Sequence, residues 1–162
     1  LLVYGPAAAT VAAAAEAAVR VRAVRRADLP EVIALDATVT GLHKADYWQR
    51  VYRRYGVGGQ GLRHFLVAVA GSRVVGFVIG EVRDWEFGSP PCGWVFAISL
   101  RPKARLAGVG SRLLEAICAG FRRQGDSKVR TMLARDNRLI LSFFRSQAMM
   151  AAPFIPLELD LH

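Results

Sequence analysis

The sequence predicts an α/β fold, a mixed sheet covered by helices on both faces. Three observations carry that prediction. Apolar segments in the first half are joined by a tight turn or a loop, as in a hairpin. Apolar segments in the second half are separated by amphipathic helical stretches, which demand crossovers and so parallel pairing. The chain has 162 residues, one domain's length, and is 53% hydrophobic, enough for a substantial core.

The elements follow in order. Residues 1–18 are alanine-rich without an apolar stripe. They have no basic start, and Glu16 sits where a signal-peptide cleavage site needs small residues, so they are expected to be an extension outside the fold. The domain is expected over 19–162. Val19 to Arg25 nearly alternates and reads as a strand. Asp28-Leu29-Pro30-Glu31 then carries an N-cap, a first-turn proline and a capping-box acid, which start a helix ending near Gly41. A second helix is predicted over Asp46–Tyr55, before a loop containing Gly56, Gly58, Gly59 and Gly61.

Two strands, His64–Ala70 and Arg73–Val82, flank the turn Gly71-Ser72. A third apolar run spans Trp94–Leu100 and is stopped by Pro102. Gly110–Arg123 reads as a helix, with Leu113, Leu114, Ile117, Cys118 and Phe121 on one face. A strand at Lys128–Ala134, a helix at Asn137–Gln147 and a half-exposed strand at Leu157–Leu161 complete the reading.

The formal net charge is +9, mostly arginine, which favours anionic partners. The basic residues are dispersed along the chain, a pattern that argues against a nucleic-acid face. Cys92 and Cys118 are far apart and His43, His64 and His162 are scattered, so neither a disulfide framework nor a metal site is expected. No apolar run is long enough to span a bilayer, so a soluble protein in the cytoplasm, with no membrane partner, is the expectation.

The informative segment runs from Ile98 to Ser111. A strand enters a short basic loop, and the loop opens a helix. Gly108 and Gly110 remove side chains, so backbone N–H groups can converge there, and the new helix adds its dipole. Arg101, Lys103 and Arg105 add charge. Physical chemistry alone gives an anion site suited to a pyrophosphate. The alternative is a tight strand–helix turn with no ligand.

At this point the chain resembles the GNAT superfamily of acyl-CoA-dependent N-acyltransferases. The resemblance rests on Arg105-x-x-Gly108-x-Gly110 after Leu100-Arg101-Pro102. It also rests on the opening Arg26-Ala27-Asp28-Leu29-Pro30 and the late Asn137–Met149 segment, and covers about residues 19–161. It implies a mostly antiparallel sheet whose central parallel strands, Trp94–Leu100 and Lys128–Ala134, splay apart around acetyl-CoA. Ile98, Ser99 and Leu100 would border the pantetheine arm. Arg105, Leu106, Ala107, Gly108, Val109, Gly110 and Ser111 would take the pyrophosphate, and Asn137 and Phe144 would line the far side of the arm. The implied activity is acetyl transfer from acetyl-CoA to a primary amine by direct attack in a ternary complex. The acceptor is a small molecule or a protein, and a homodimer is compatible with the family.

The chain departs from the family at the catalytic positions. Many members carry a carboxylate on the strand before the loop, but Trp94–Ser99 has none. Glu81 is the best substitute as general base, ahead of Asp84 and Glu86. The tyrosine that many members use as general acid is Phe144 here. The usual glycine before the last aromatic is Ala148, and the aromatic is Met149. Tyr47, Trp48, Tyr52 and Tyr55 are candidates for an acceptor pocket, and Trp85 and Phe87 for its cap. The missing acid and tyrosine keep open a catalytically weak CoA-binding regulatory module, and the basic charge a nucleic-acid-binding domain.

Overall fold

Five strands form one sheet in the order β1-β2-β3-β4-β5: β1 Val19–Ala23, β2 Arg63–Ala70, β3 Arg73–Arg83, β4 Cys92–Leu100 and β5 Val129–Thr131. The computed structural model describes residues 19–105 and 107–162, so the expected extension at 1–18 and the loop residue Leu106 lie outside the described residues. The chain divides into two units, one ending at Thr131 and one spanning Met132–His162.

In the first unit β1 to β4 pair antiparallel and β5 joins β4 in parallel, as the hairpins and crossovers in the sequence require. Gly71 has φ +62°, the left-handed conformation that the β2–β3 turn needs. The helices are α1 Leu29–Thr40, α2 Ala45–Val51, α3 Pro102–Arg105 and α4 Val109–Arg123. The predicted helix at Asp46–Tyr55 stops at Val51 and continues as a π-helical turn, Tyr52–Gly56.

One face of the sheet presents Phe65, Val67, Val69, Phe77 and Ile79 to Val32, Ile33 and Leu35 of α1 and Trp48 and Val51 of α2. The other face receives α4. Gly76 and Gly80 make its close approach possible: a Cβ at Gly80 would meet Ile117 at 3.0 Å and Phe121 at 3.1 Å, and one at Gly76 would meet Leu113 at 3.2 Å. Leu113 and Ile117 are fully buried, each stabilising the fold by about 2 kcal/mol. That packing fixes where the N-terminus of α4 lies.

Several side chains take other roles than the sequence suggests. Asp28 stands at the N-cap position of α1, but its side chain makes no capping hydrogen bond there. Its carboxylate accepts two hydrogen bonds from Arg22, at 2.7 and 2.9 Å, and one from the Arg25 N–H at 2.7 Å. The hydrogen bonds from Arg22 hold its pKa below the usual carboxylate value. Trp48 is 2% exposed and donates from Nε1 to Asp36, so it is a core residue and not part of an acceptor pocket.

In the second unit α5 spans Arg138–Ser146, and the predicted strand at Leu157–Leu161 is irregular, with all three leucines exposed. Alternation marks a strand only where a neighbouring edge supplies backbone partners.

Candidate acyl-CoA site

β4 and β5 stay paired over three positions: Gly93 with Val129, Trp94 with Arg130 and Val95 with Thr131. The Thr131 hydroxyl closes the last of these by donating to the Val95 carbonyl at 2.8 Å. β5 then ends, well short of the predicted Ala134. From Phe96 to Leu100 the β5-facing edge of β4 has no strand partner among the described residues. An extended ligand that hydrogen-bonds like a strand fits such an edge. Ile98, Ser99 and Leu100 lie on it, each half-buried.

At the same place β4 carries a bulge. Ile79 pairs with Ala97 but Gly80 pairs with Val95, which leaves Phe96 as the extra residue. The loss of strict alternation in Trp94-Val95-Phe96-Ala97, opposite Gly80, is the sequence signal for it.

β4 leads through Pro102 into the short α3 and then Gly108, which is the N-cap of α4 at φ +72°. Only glycine holds that conformation without strain. The amides of the first turn of α4 point out along its axis toward the loop, at the positive end of the helix dipole. Val109 and Gly110 are buried, Ala107, Gly108 and Ser111 are half-buried, and Lys103 and Arg105 are exposed. The Ala107 N–H donates to the Ala104 carbonyl at 3.3 Å, so the N–H groups left for an anion come chiefly from the start of α4. Arg101 does not join the loop charge. Its Nε donates to the Val74 carbonyl at 2.8 Å and its Nη2 reaches Glu31 at 3.2 Å. The remaining geometry suits a pyrophosphate: a glycine N-cap, first-turn amides and flexible cations.

Glu81 lies on β3 opposite Trp94. Its side chain is 16% exposed and 3.5 Å from Arg83 Nε. The Arg83 guanidinium lies 4.9 Å from the Trp94 ring centroid and 3.9 Å from Glu86. Tyr55, on the π-helical turn, packs against Phe96 with ring centroids 5.0 Å apart. Its phenol pKa is raised, first by burial and then by the Glu81 charge. The sequence gives Tyr55 only as one of four aromatics on a helix; the π-helical turn that brings it to the bulge leaves no recognisable pattern.

In the second unit the Asn137 side chain caps α5, its Oδ1 accepting from the Ile140 N–H at 3.2 Å. Phe144 is buried and stacks on Phe143 at 5.1 Å. Among the described residues no cluster of three or more His, Cys, Asp or Glu is placed to hold a metal, and no helix is long and apolar enough to cross a membrane.

Solved structures share this architecture. The aminoglycoside N-acetyltransferase AAC(6')-Iy in complex with CoA superposes with TM-score 0.77 at 16% identity, covering 88% of this chain and 94% of its own. The 6'-N-acetyltransferase AAC(6')-Ih from Acinetobacter baumannii gives 0.74 at 13% identity, covering 89% and 99%. The aminoglycoside acetyltransferase meta-AAC0020 from an uncultured soil metagenomic sample, in complex with sisomicin, gives 0.71 at 16%, covering 91% and 99%. At these identities the likeness is one of fold. No curated protein matches the sequence. The family model described as the acetyltransferase (GNAT) family matches residues 29–148. With that match over most of the chain, and a strand that runs into a glycine-capped helix, this protein belongs to the GNAT acetyltransferase family.

Proposed function

We propose that this protein transfers the acetyl group of acetyl-CoA to a primary amine by direct attack in a ternary complex. The observation that carries the reading is the end of β5 pairing at Val95: among the described residues the Phe96–Leu100 edge has no strand partner, directly before the α4 N-terminus. The pantetheine arm lies along that edge, with Ile98, Ser99 and Leu100 beside it. The pyrophosphate sits on the Arg105–Ser111 loop, with Gly108, Val109 and Gly110 supplying backbone and Arg105 supplying charge.

Amide formation needs a neutral amine and a thioester carbonyl held in line with it. Glu81 is the carboxylate that takes the amine proton, and backbone N–H groups of β4 near the bulge polarise the carbonyl. The acceptor is a small amine or a protein amine. The aminoglycoside acetyltransferases among the structural neighbours make a polyamino sugar the first small molecule to assay. A CoA-binding module with weak catalysis is the second reading, supported by the absence of any acid on Cys92–Leu100.

Isothermal titration of acetyl-CoA and CoA tests the site, with Gly108→Asp as control. Aspartate puts a side chain and a negative charge at a left-handed N-cap. Binding by the wild type and its loss in a folded Gly108→Asp protein support the reading. Equal binding by both refutes the loop assignment. Binding without turnover across sisomicin, other amines and lysine peptides favours the second reading.

A further inference from the structure

Tyr55 reaches the β4 bulge by an unusual route. Helix α2 ends at Val51, and a π-helical turn carries the chain on through Tyr52–Gly56. A π turn shifts the side chains that follow it around the helix axis, a feature frequent at functional sites. The turn is tightly built: a Cβ at Gly56 would stand 2.6 Å from the Tyr52 ring and 2.9 Å from Val24. It sets the half-buried Tyr55 ring against Phe96, the extra residue of the bulge. Phe96 follows Val95, where the β5 pairing ends and the strand edge opens. On β3, two residues beyond Ile79, which pairs with Ala97 beside the bulge, stands Glu81, opposite Trp94. A phenol and a carboxylate are therefore both placed beside the bulge in β4, Tyr55 against Phe96 and Glu81 opposite Trp94.

We propose that Tyr55 is the general acid of acetyl transfer, donating its phenolic proton to the departing thiolate while Glu81 receives the proton of the attacking amine. The proposal rests on the acetyltransferase reading of this same site. The amine lone pair forms the new C–N bond and the C–S bond breaks, its electron pair leaving on sulfur. Tyr55 O–H protonates that sulfur. Glu81, protonated by the amine, passes its proton to the phenolate, and both side chains return to their starting state. Products are the amide and a free thiol, with no further reactant needed. A phenol is ordinarily a weaker acid than a thiol, so the proton transfer from Tyr55 is coupled to the one arriving from Glu81. Burial first, and then the Glu81 charge, disfavour a standing phenolate and keep the proton on Tyr55 before reaction.

Tyr55→Phe tests this because it keeps the ring against Phe96 and removes only the hydroxyl. With acetyl-CoA and sisomicin, or a lysine peptide, kcat should fall roughly a hundredfold with KM for acetyl-CoA unchanged. On a Glu81→Gln background the same change should add little further loss, since the two residues share one proton path. A second readout needs no acceptor. The thiol of bound CoA is titrated by thiolate ultraviolet absorbance in wild type and in Tyr55→Phe. A phenol donating to sulfur stabilises the thiolate, so the thiol should titrate at higher pH in the variant. Identical titration curves overturn the proposal, as does full activity in a folded Tyr55→Phe protein. Failure of the wild type to bind CoA at all overturns the acetyltransferase reading itself, and the proposal with it.

Discussion

Arg101 turns its guanidinium away from the glycine loop and back onto Glu31. Its Nη2 lies 3.2 Å from the carboxylate, its Nε donates to the Val74 carbonyl at 2.8 Å, and its own N–H donates to the Val75 carbonyl at 2.8 Å. Glu31 completes the link by accepting from the Val74 N–H at 3.2 Å. The end of β4 is thereby tied to the start of β3 and to α1 just before the chain enters the proposed pyrophosphate loop. Arg101→Met should lower stability by about 1–2 kcal/mol, discounted because both side chains are partly solvated. It should also weaken acetyl-CoA binding several-fold by loosening the loop's entry. Differential scanning calorimetry and isothermal titration on the same samples check both effects. Unchanged affinity in the variant would sink the anchoring role.

The sheet's glycines make a sharper prediction. At Gly80 an added Cβ would stand 2.5 Å from the Trp94 carbonyl oxygen, a backbone atom of the bulged strand that cannot swing away. Gly80→Ala should therefore shift the bulge, costing about 1–3 kcal/mol and most of the acetyl-transfer activity. At Gly120 the added Cβ would meet the His64 ring at 2.7 Å, a side chain of β2 and not the backbone of the bulged strand. Gly120→Ala should show a similar loss of stability with kcat largely kept. Melting temperatures and steady-state rates for the pair separate the two. Equal retention of activity would show that the bulge geometry is not needed.

How far these features were legible varies by residue. The strand–loop–helix from Ile98 to Ser111 was readable because glycines, proline and apolar periodicity are local signals that the chain obeys locally. The strand Lys128–Ala134 was placed correctly but drawn too long, since where β5 parts from β4 depends on tertiary pairing. Leu157–Leu161 alternates without an edge to pair with. Arg101 read as loop charge because sequence does not reveal that Glu31, seventy positions away, competes for it. Tyr55 read only as one of four candidate pocket aromatics because a π turn leaves no pattern, and Trp48 read as another because its partner Asp36 lies on a different helix.

His64 predicts a pH dependence. Its ring is packed beside Gly120 and edge-on to Phe121, with centroids 5.4 Å apart, and its Nε2 is buried without a hydrogen-bond partner. Burial is the largest cause lowering its pKa below 6.5; a Gly61 backbone hydrogen bond partly opposes it and the Arg123 charge reinforces it. The folded state thus resists protonation that the unfolded chain accepts. Its contribution is fully present above pH 6.5 and is lost as pH falls from there through the lower folded value. His64→Leu should flatten the stability curve across that window while leaving the acid-range loss that comes from Asp28. Urea melts from pH 8 to pH 5 provide the check; a wild type and variant with parallel curves would remove His64 from the account.

Ala148 predicts a gain. It follows α5 at φ +62°, its N–H donating to the Arg145 carbonyl at 3.0 Å while the Met149 N–H donates to Phe144 at 3.1 Å. That pair of bonds is the Schellman ending of a helix, and its left-handed position favours glycine because a Cβ is strained there. The family's glycine at this place is therefore explained by backbone geometry alone. Ala148→Gly should relieve about 1 kcal/mol of strain, partly offset by the greater freedom of an unfolded glycine. Amide hydrogen exchange across Arg138–Ser146 should slow by a factor of a few, and the melting temperature should not fall. The Phe144 carbonyl is one of the acceptors in this ending, so a firmer cap also holds the segment that carries Phe144. If exchange instead quickens, the left-handed turn at Ala148 is not the conformation that ends α5 in solution.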